Sequence, residues 1–266
     1  MSSSGSDEDT ISGSVIGTKD YWNEWYEREL KNFEEFEDSG DVWFGRKNNQ
    51  RIVQWICRHL TTTDDDNKQQ SKILDIGCGN GYMLLELAKH GYRRLVGIDY
   101  SSTSIDLCRR LLAANELANK VADICFEVYD ILGDNDNDNS SRRSANSCLI
   151  GQTFDCLVDK GTYDAVCLQP GVQLDDIRHK YRCFLQNLMT SESVFIIMSC
   201  NFTKTELIRD LRVVDDSGGG GGGGSVDHNN QYCFRLVDEI PTPTITFGGR
   251  SGSQVTALIL KKSIVV

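Results

Sequence analysis

Short, mostly apolar runs alternate along the chain with longer stretches whose apolar positions recur at helical spacing. KILDIG (72–77), RLVGID (94–99), ICFEVYD (124–130), FDCLVD (154–159) and SVFIIMS (193–199) are of the first kind and predict strands. YMLLELAKHG (82–91), closed by a glycine suited to a left-handed cap, predicts a helix. So do LDDIRHKYRCFLQNLM (174–189) and the stretch from Ser102, which keeps Ile105, Cys108 and Leu112 on one face. KTELIRDL (204–211) predicts a shorter one, and 20–36 and 50–60 read as amphipathic helices ahead of the rest.

Strands interleaved with helices build a parallel sheet covered on both faces. The last two strands, YCFRLVDEI (232–240) and VTALILKK (255–262), have no helix between them. They must pair antiparallel, because a parallel return needs a crossover of about a dozen residues, usually helical. The expected fold is an α/β Rossmann-like sheet, mostly parallel with an antiparallel last strand and helices on both faces. Residues 1–17, rich in Ser, Gly and acids, predict a disordered tail. A single domain is expected over 18–262, with loop insertions near 133–147 and 213–230, the second holding the glycine run 218–224.

Composition narrows the function. The net charge of -11 over 266 residues argues against nucleic acid as partner, since phosphate binding needs clustered Lys and Arg, and suits a basic protein instead. No stretch approaches the ~20 apolar residues of a membrane helix, and the polar N-terminus MSSSGSDEDT is not a secretory signal. The 10 cysteines form no C-x-x-C pair, and several, Cys125, Cys156 and Cys200 among them, lie in apolar runs where a reduced thiol behaves as a small core residue. A reducing compartment is expected, the cytoplasm with the nucleus left open, and no metal site, because the 4 His show no ligand spacing.

In such sheets ligands bind outside the carboxyl ends of the strands. The turn after the first strand reads LDIGCGNGYML, with Asp75, Gly77, Gly79 and Gly81. A dinucleotide fingerprint would need glycine where Tyr82 stands, and the Gly-Lys-Ser/Thr of a P-loop is absent. The second strand ends in Asp99, followed by Tyr100, where a carboxylate can accept both hydroxyls of a ribose. This combination resembles the first motif and the acidic second-strand end of the seven-strand S-adenosylmethionine-dependent methyltransferases. The resemblance implies S-adenosylmethionine as cofactor, held by Asp75, Gly77, Gly79, Gly81, Asp99 and Tyr100. It places Asp130 at the adenine amino group, Ile131 against the ring, and Trp43 in an N-terminal segment folded over the cofactor.

The fourth strand runs into DKGTYDA (159–165), without the Asn/Asp-Pro-Pro-aromatic motif of adenine or glutamine methyltransferases. With GTKDYWNEWYEREL (17–30), DVWFG (41–45), SCNFTKTEL (199–207) and IPTPTITFGGRSG (240–252), it is similar to the protein-lysine methyltransferases that modify translation elongation factor 1-alpha. The resemblance implies transfer to a lysine ε-amine of that basic factor; a monomer is expected. Asp159 is then the candidate for orienting the amine, Tyr163 for walling its channel and Asn201 for lining the opening. Arg250 would reach the same face, whereas Trp22, Trp25 and Tyr26 have helical spacing and read as packing. Other acceptors on the same fold, or a silent cofactor-binding protein, are the competing readings.

Overall fold

The computed structural model describes residues 13–60, 65–115, 124–133, 147–214, 232–247 and 250–264. The glycine run and most of both expected insertions lie outside them, as do residues 1–12 of the expected tail. A 3-10 turn (Val15–Gly17) leads into α1 (Lys19–Phe36), α2 (Gly45–His59) and α3 (Asp65–Gln70). Then follow β1 (Lys72–Ile76), α4 (Tyr82–Lys89), β2 (Arg94–Asp99), α5 (Ser102–Ala114), β3 (Ile124–Val128) and β4 (Phe154–Lys160). The second half comprises α6 (Thr162–Cys167), α7 (Leu174–Leu188), β5 (Met189–Ser199), α8 (Lys204–Asp210), β6 (Val213–Val214) and β7 (Tyr232–Glu239). A small hairpin, β8 (Thr244–Phe247) with β9 (Arg250–Ser253), precedes β10 (Thr256–Ile264).

Eight of the strands form one sheet in the order β3-β2-β1-β4-β5-β10-β7-β6, and β8 and β9 form a separate two-stranded one. β1 pairs in parallel with β2 and β4, and β10 runs antiparallel between β5 and β7. The continuous apolar runs are explained by burial on both faces. Cys156, Val158, Ile196 and Ile259 face α2, α4 and α5, while Leu157, Phe195, Ile197 and Leu258 face α6, α7 and α8. All eight are completely buried. β1 and β2 have parallel neighbours and helices before and after them, so their carboxyl ends, with those of β3 and β4, open onto one edge.

The cysteines differ from expectation at two places: Cys200, expected among core residues, is exposed at the turn after β5, and Cys125 is not a free thiol. Cys125 is part-buried on the edge strand β3 and forms a disulfide with Cys148. The chain beyond the 134–146 stretch returns to β3, where the Cys148 N–H donates to Glu127 Oε2 at 2.7 Å, and this brings the two sulfurs together. Sequence separation hid the pair, because no local spacing signals a bridge between an edge strand and a returning loop. Cys125, Glu127 and Cys148 are also the His/Cys/Asp/Glu group of metal-ligand dimensions among the described residues, but the S–S bond takes up both thiols. Among the described residues no helix is long and apolar enough to cross a membrane.

Candidate active site

The turn between β1 and α4 is built for close approach. Gly77 and Gly79 hold φ of +65° and +56°, a region costly for any residue with a Cβ. A Cβ on Gly77 would lie 2.0 Å from Thr162 Oγ1, and one on Gly79 would lie 2.9 Å from the Tyr26 hydroxyl. The turn is pinned from α5, since Ser104 Oγ donates to the Gly79 carbonyl at 2.7 Å. From the end of β2, Asp99 accepts the Gly79 N–H at 3.2 Å on one carboxylate oxygen and the Ser101 N–H at 3.0 Å on the other. Burial pushes the Asp99 pKa up to about 6, against the backbone donors that lower it. Asp75, beneath the turn, is pushed up to about 7, first by burial and then by Asp159 and Asp99, with Lys160 opposing.

Gly77 and Asp99 open onto a pocket of about 840 Å³, counted out to open solvent. Its floor runs along the strand ends: Gly77 after β1, Asp99 and Tyr100 after β2, Asp130 and Ile131 after β3, and Lys160 with Gly161 at β4. Gly79 and Gly81 belong to the same turn as Gly77, and Asp75 sits behind it, 3% exposed. The roof comes from the N-terminal segment: Lys19, Trp22, Tyr26 and Trp43 all line the pocket.

That roof is fastened at several points. Asn80 Nδ2 donates to the carbonyls of Ser39 and Asp41 at 3.0 and 3.1 Å. The Ser14 N–H donates to the Leu168 carbonyl at 2.9 Å, and Gly17 packs so closely there that a Cβ would lie 2.2 Å from that carbonyl. Tyr100 donates its hydroxyl to the Lys19 carbonyl at 3.0 Å, and the Lys19 ammonium pairs with the Asp130 carboxylate. Asp130 also accepts the Leu132 N–H at 3.0 Å. Trp22 and Trp43 meet edge to face, their rings 5.1 Å apart. Trp22 and Tyr26, read as packing from their helical spacing, therefore reach the pocket, because α1 lies along α5 and presents that face downward.

The three residues expected at the acceptor are not brought to the pocket. Asp159 is completely buried, and its carboxylate accepts the N–H groups of Thr162 (2.9 Å) and Tyr163 (3.0 Å) and the Tyr181 hydroxyl. It holds the first two N–H groups of α6 and ties that helix to α7 through Tyr181. Burial pushes its pKa up to about 7, with the Tyr181 hydrogen bond opposing. Tyr163, 1% exposed, donates its hydroxyl to Asp210 at 3.1 Å and packs at a tilt against the rings of Tyr181 and Phe202. Asn201 is exposed on the turn after β5, and Thr203 beside it forms a capping box with Glu206. Arg250 begins β9, and its side chain lies outside the described residues. Replacing Asp159 by alanine strands three buried donors, at about 1 kcal/mol each. The melting temperature should fall by about 6–12 °C, with cofactor affinity held within about threefold; thermal denaturation and calorimetric titration check both halves.

A parallel sheet with a glycine cradle after its first strand, a carboxylate ending its second and an antiparallel strand inserted near its end defines the class of Rossmann-like methyltransferases. Residues 67–237 match the methyltransferase domain family. The magnesium protoporphyrin IX methyltransferase of Synechocystis PCC 6803, solved with bound S-adenosylmethionine, has the same fold with a TM-score of 0.55 at 15% identity, covering 96% of this chain and 100% of that one. EEF1A lysine methyltransferase 2 of Mus musculus is 36% identical over 249 residues, which is 94% of this chain and 84% of the relative. Its Homo sapiens counterpart is 35% identical, over 96% of this chain and 90% of the relative. The chain belongs to the family of protein-lysine methyltransferases that these relatives represent.

Proposed function

We propose that the chain transfers the methyl group of S-adenosylmethionine to a lysine ε-amine of translation elongation factor 1-alpha, working in the cytoplasm as a monomer. The observation that carries the cofactor half is the pocket at the ends of β1, β2 and β3, where Gly77 of the glycine-rich turn meets Asp99 and Asp130. The residues fit the group by chemistry. Asp99 offers a carboxylate to a diol, Asp130, paired with the Lys19 ammonium, presents a second carboxylate toward an amino group, and Gly77 offers backbone to the pocket. Tyr100 and Ile131 supply flat and apolar surface beside them. The curated relatives' names point to elongation factor 1-alpha, and the net charge of -11 suits a basic partner.

When bound, the cofactor supplies an electrophilic methyl group on a sulfonium. The protein's part is to bind, orient and desolvate. A free lysine has a pKa near ~10.4, so presenting its neutral amine at pH 7 costs roughly 4.6 kcal/mol. Desolvation against aromatic walls such as Trp22 and Trp43 lowers that cost. Orientation of the reacting groups supplies about 7–11 kcal/mol, which outweighs deprotonation and removes the need for a strong base.

The carboxylates give a pH dependence of known sign. Free protein holds protons on Asp75 up to about 7 and on Asp99 up to about 6. A cationic ligand favours the ionised carboxylates, so binding releases protons. Affinity should rise with pH between about 5 and 7 and level off above. Calorimetry in buffers of different ionisation enthalpy will read the release directly.

The functional test is incubation with methyl-labelled S-adenosylmethionine and purified elongation factor 1-alpha, followed by mass-spectrometric mapping. Label on a lysine, lost with Asp99→Ala, is the expected result. Label only on other proteins of an extract would keep the transferase and discard this substrate.

A further inference from the structure

Lys160 ends β4 and lines the pocket beside Gly161, yet the cofactor residues identified above do not use it. The sheet order β3-β2-β1-β4 lays the cofactor-facing groups along β3, β2 and β1, so β4 lies one strand beyond them, at the acceptor end. Lys160 Nζ donates to the Trp43 carbonyl at 3.0 Å and sits 6.0 Å from the centre of the Phe44 ring. Burial of the ammonium lowers its pKa, while Asp75 and Asp159 act in the opposite direction.

The turn it holds is strained. Phe44 has φ +64° and Gly45 +80°, and the Gly45 N–H donates to the Val42 carbonyl at 2.7 Å. A bulky residue in the left-handed region persists only where its surroundings impose it, and such residues concentrate at functional sites. Two contacts impose it here besides the turn's own hydrogen bond. Asn48 Nδ2 donates to the Phe44 carbonyl at 3.0 Å, and Lys160 takes the Trp43 carbonyl. The surface opposite is cleared for the indole. A Cβ on Gly161, whose φ is +93°, would lie 2.9 Å from Trp43 Cδ1 and 3.0 Å from Nε1. Trp43 thus stands on the β4–α6 turn, braced by Trp22 from above.

We propose that Lys160 is a positioning residue for the acceptor: it tethers the Trp43–Phe44 turn across the end of β4, so that the Trp43 indole forms the wall along which the acceptor's lysine side chain is held. This rests on the lysine-methyltransferase reading and deepens it. Trp43 then serves the acceptor and not the cofactor. An alkyl stem with a cationic or neutral amine at its tip suits an indole face, which offers both apolar area and cation–π attraction.

Two variants test the tether from opposite sides. Lys160→Met removes the ammonium and keeps the stem, while Gly161→Ala leaves the ammonium in place and displaces the indole. Hydrogen exchange, measured without acceptor, should speed up across residues 41–50 in both variants. Methyl transfer to elongation factor 1-alpha should lose about 10- to 100-fold in kcat/KM for the acceptor, the size expected of a displaced positioning group. In Gly161→Ala the loss in kcat/KM for the acceptor should exceed any loss in cofactor affinity by about tenfold, a split between substrates that general destabilisation would not produce. Unchanged exchange in Lys160→Met would overturn the tether. Loss of cofactor affinity in Gly161→Ala equal to the loss of transfer would overturn the acceptor role. Wild-type protein that binds cofactor but methylates no lysine would defeat the functional reading and the acceptor role with it, and the exchange data would still decide the tether.

Discussion

Asp99→Ala will weaken S-adenosylmethionine binding by about 100-fold or more, read by calorimetric titration. Hydrogen bonds to a charged group contribute about 1.5–3 kcal/mol each. Two of them lost to one ligand exceed about 2.8 kcal/mol, and each 1.4 kcal/mol is about tenfold in affinity. The same carboxylate also holds the Gly79 N–H, so the cradle loosens as the ligand contact disappears. Asp99→Asn should keep much of the shape and still lose most of the affinity, because the amide accepts more weakly and carries no charge. Equal binding by Asp99→Asn and wild type would show that the charge is not what holds the ligand.

Gly79→Arg is expected to abolish cofactor binding while the sheet stays folded. The position has φ +56°, and its Cβ would lie 2.9 Å from the Tyr26 hydroxyl under the roof. An arginine there must either lift α1 or fill the space intended for the ligand. Its charge would also pair with Asp99 and occupy the carboxylate. Circular dichroism close to wild type, with no detectable titration heat, is the expected pair of results. Measurable binding within tenfold of wild type would show that the ligand does not pass over this turn.

The readable parts of the molecule were those fixed by neighbours in the chain. β1, the glycine turn, α4 and the carboxylates at the ends of β2 and β3 follow from runs, spacing and turn chemistry. α6 did not, because Thr162–Cys167 is too short for a helical period to show. α2 begins at Gly45, ahead of the expected 50, since its first turn is polar and fronts on solvent. PTPTITFGGRSG contains the β8–β9 hairpin, although its Pro and Gly content suggests a loop. The placement of the site residues turns on a different kind of fact. The direction of the Asp159 carboxylate is settled by Tyr181 on α7, and Trp22 and Tyr26 meet the pocket because α1 lies on α5. Those are long-range facts, which helical spacing alone cannot distinguish from core packing.

The placement of β10 sets a schedule for making this protein. Translation delivers residues in order at about 5–20 per second, yet the last strand formed occupies a slot between β5 and β7, both made earlier. Until it arrives, β5 presents an unpaired edge bearing Phe195, Ile196 and Ile197, the kind of template on which other chains aggregate. The nascent chain therefore passes through a stage in which the cofactor cradle is already encoded but the sheet behind it is split. A stop within β10 would leave that stage permanent, so even a short C-terminal truncation there should send the protein to degradation or inclusion bodies.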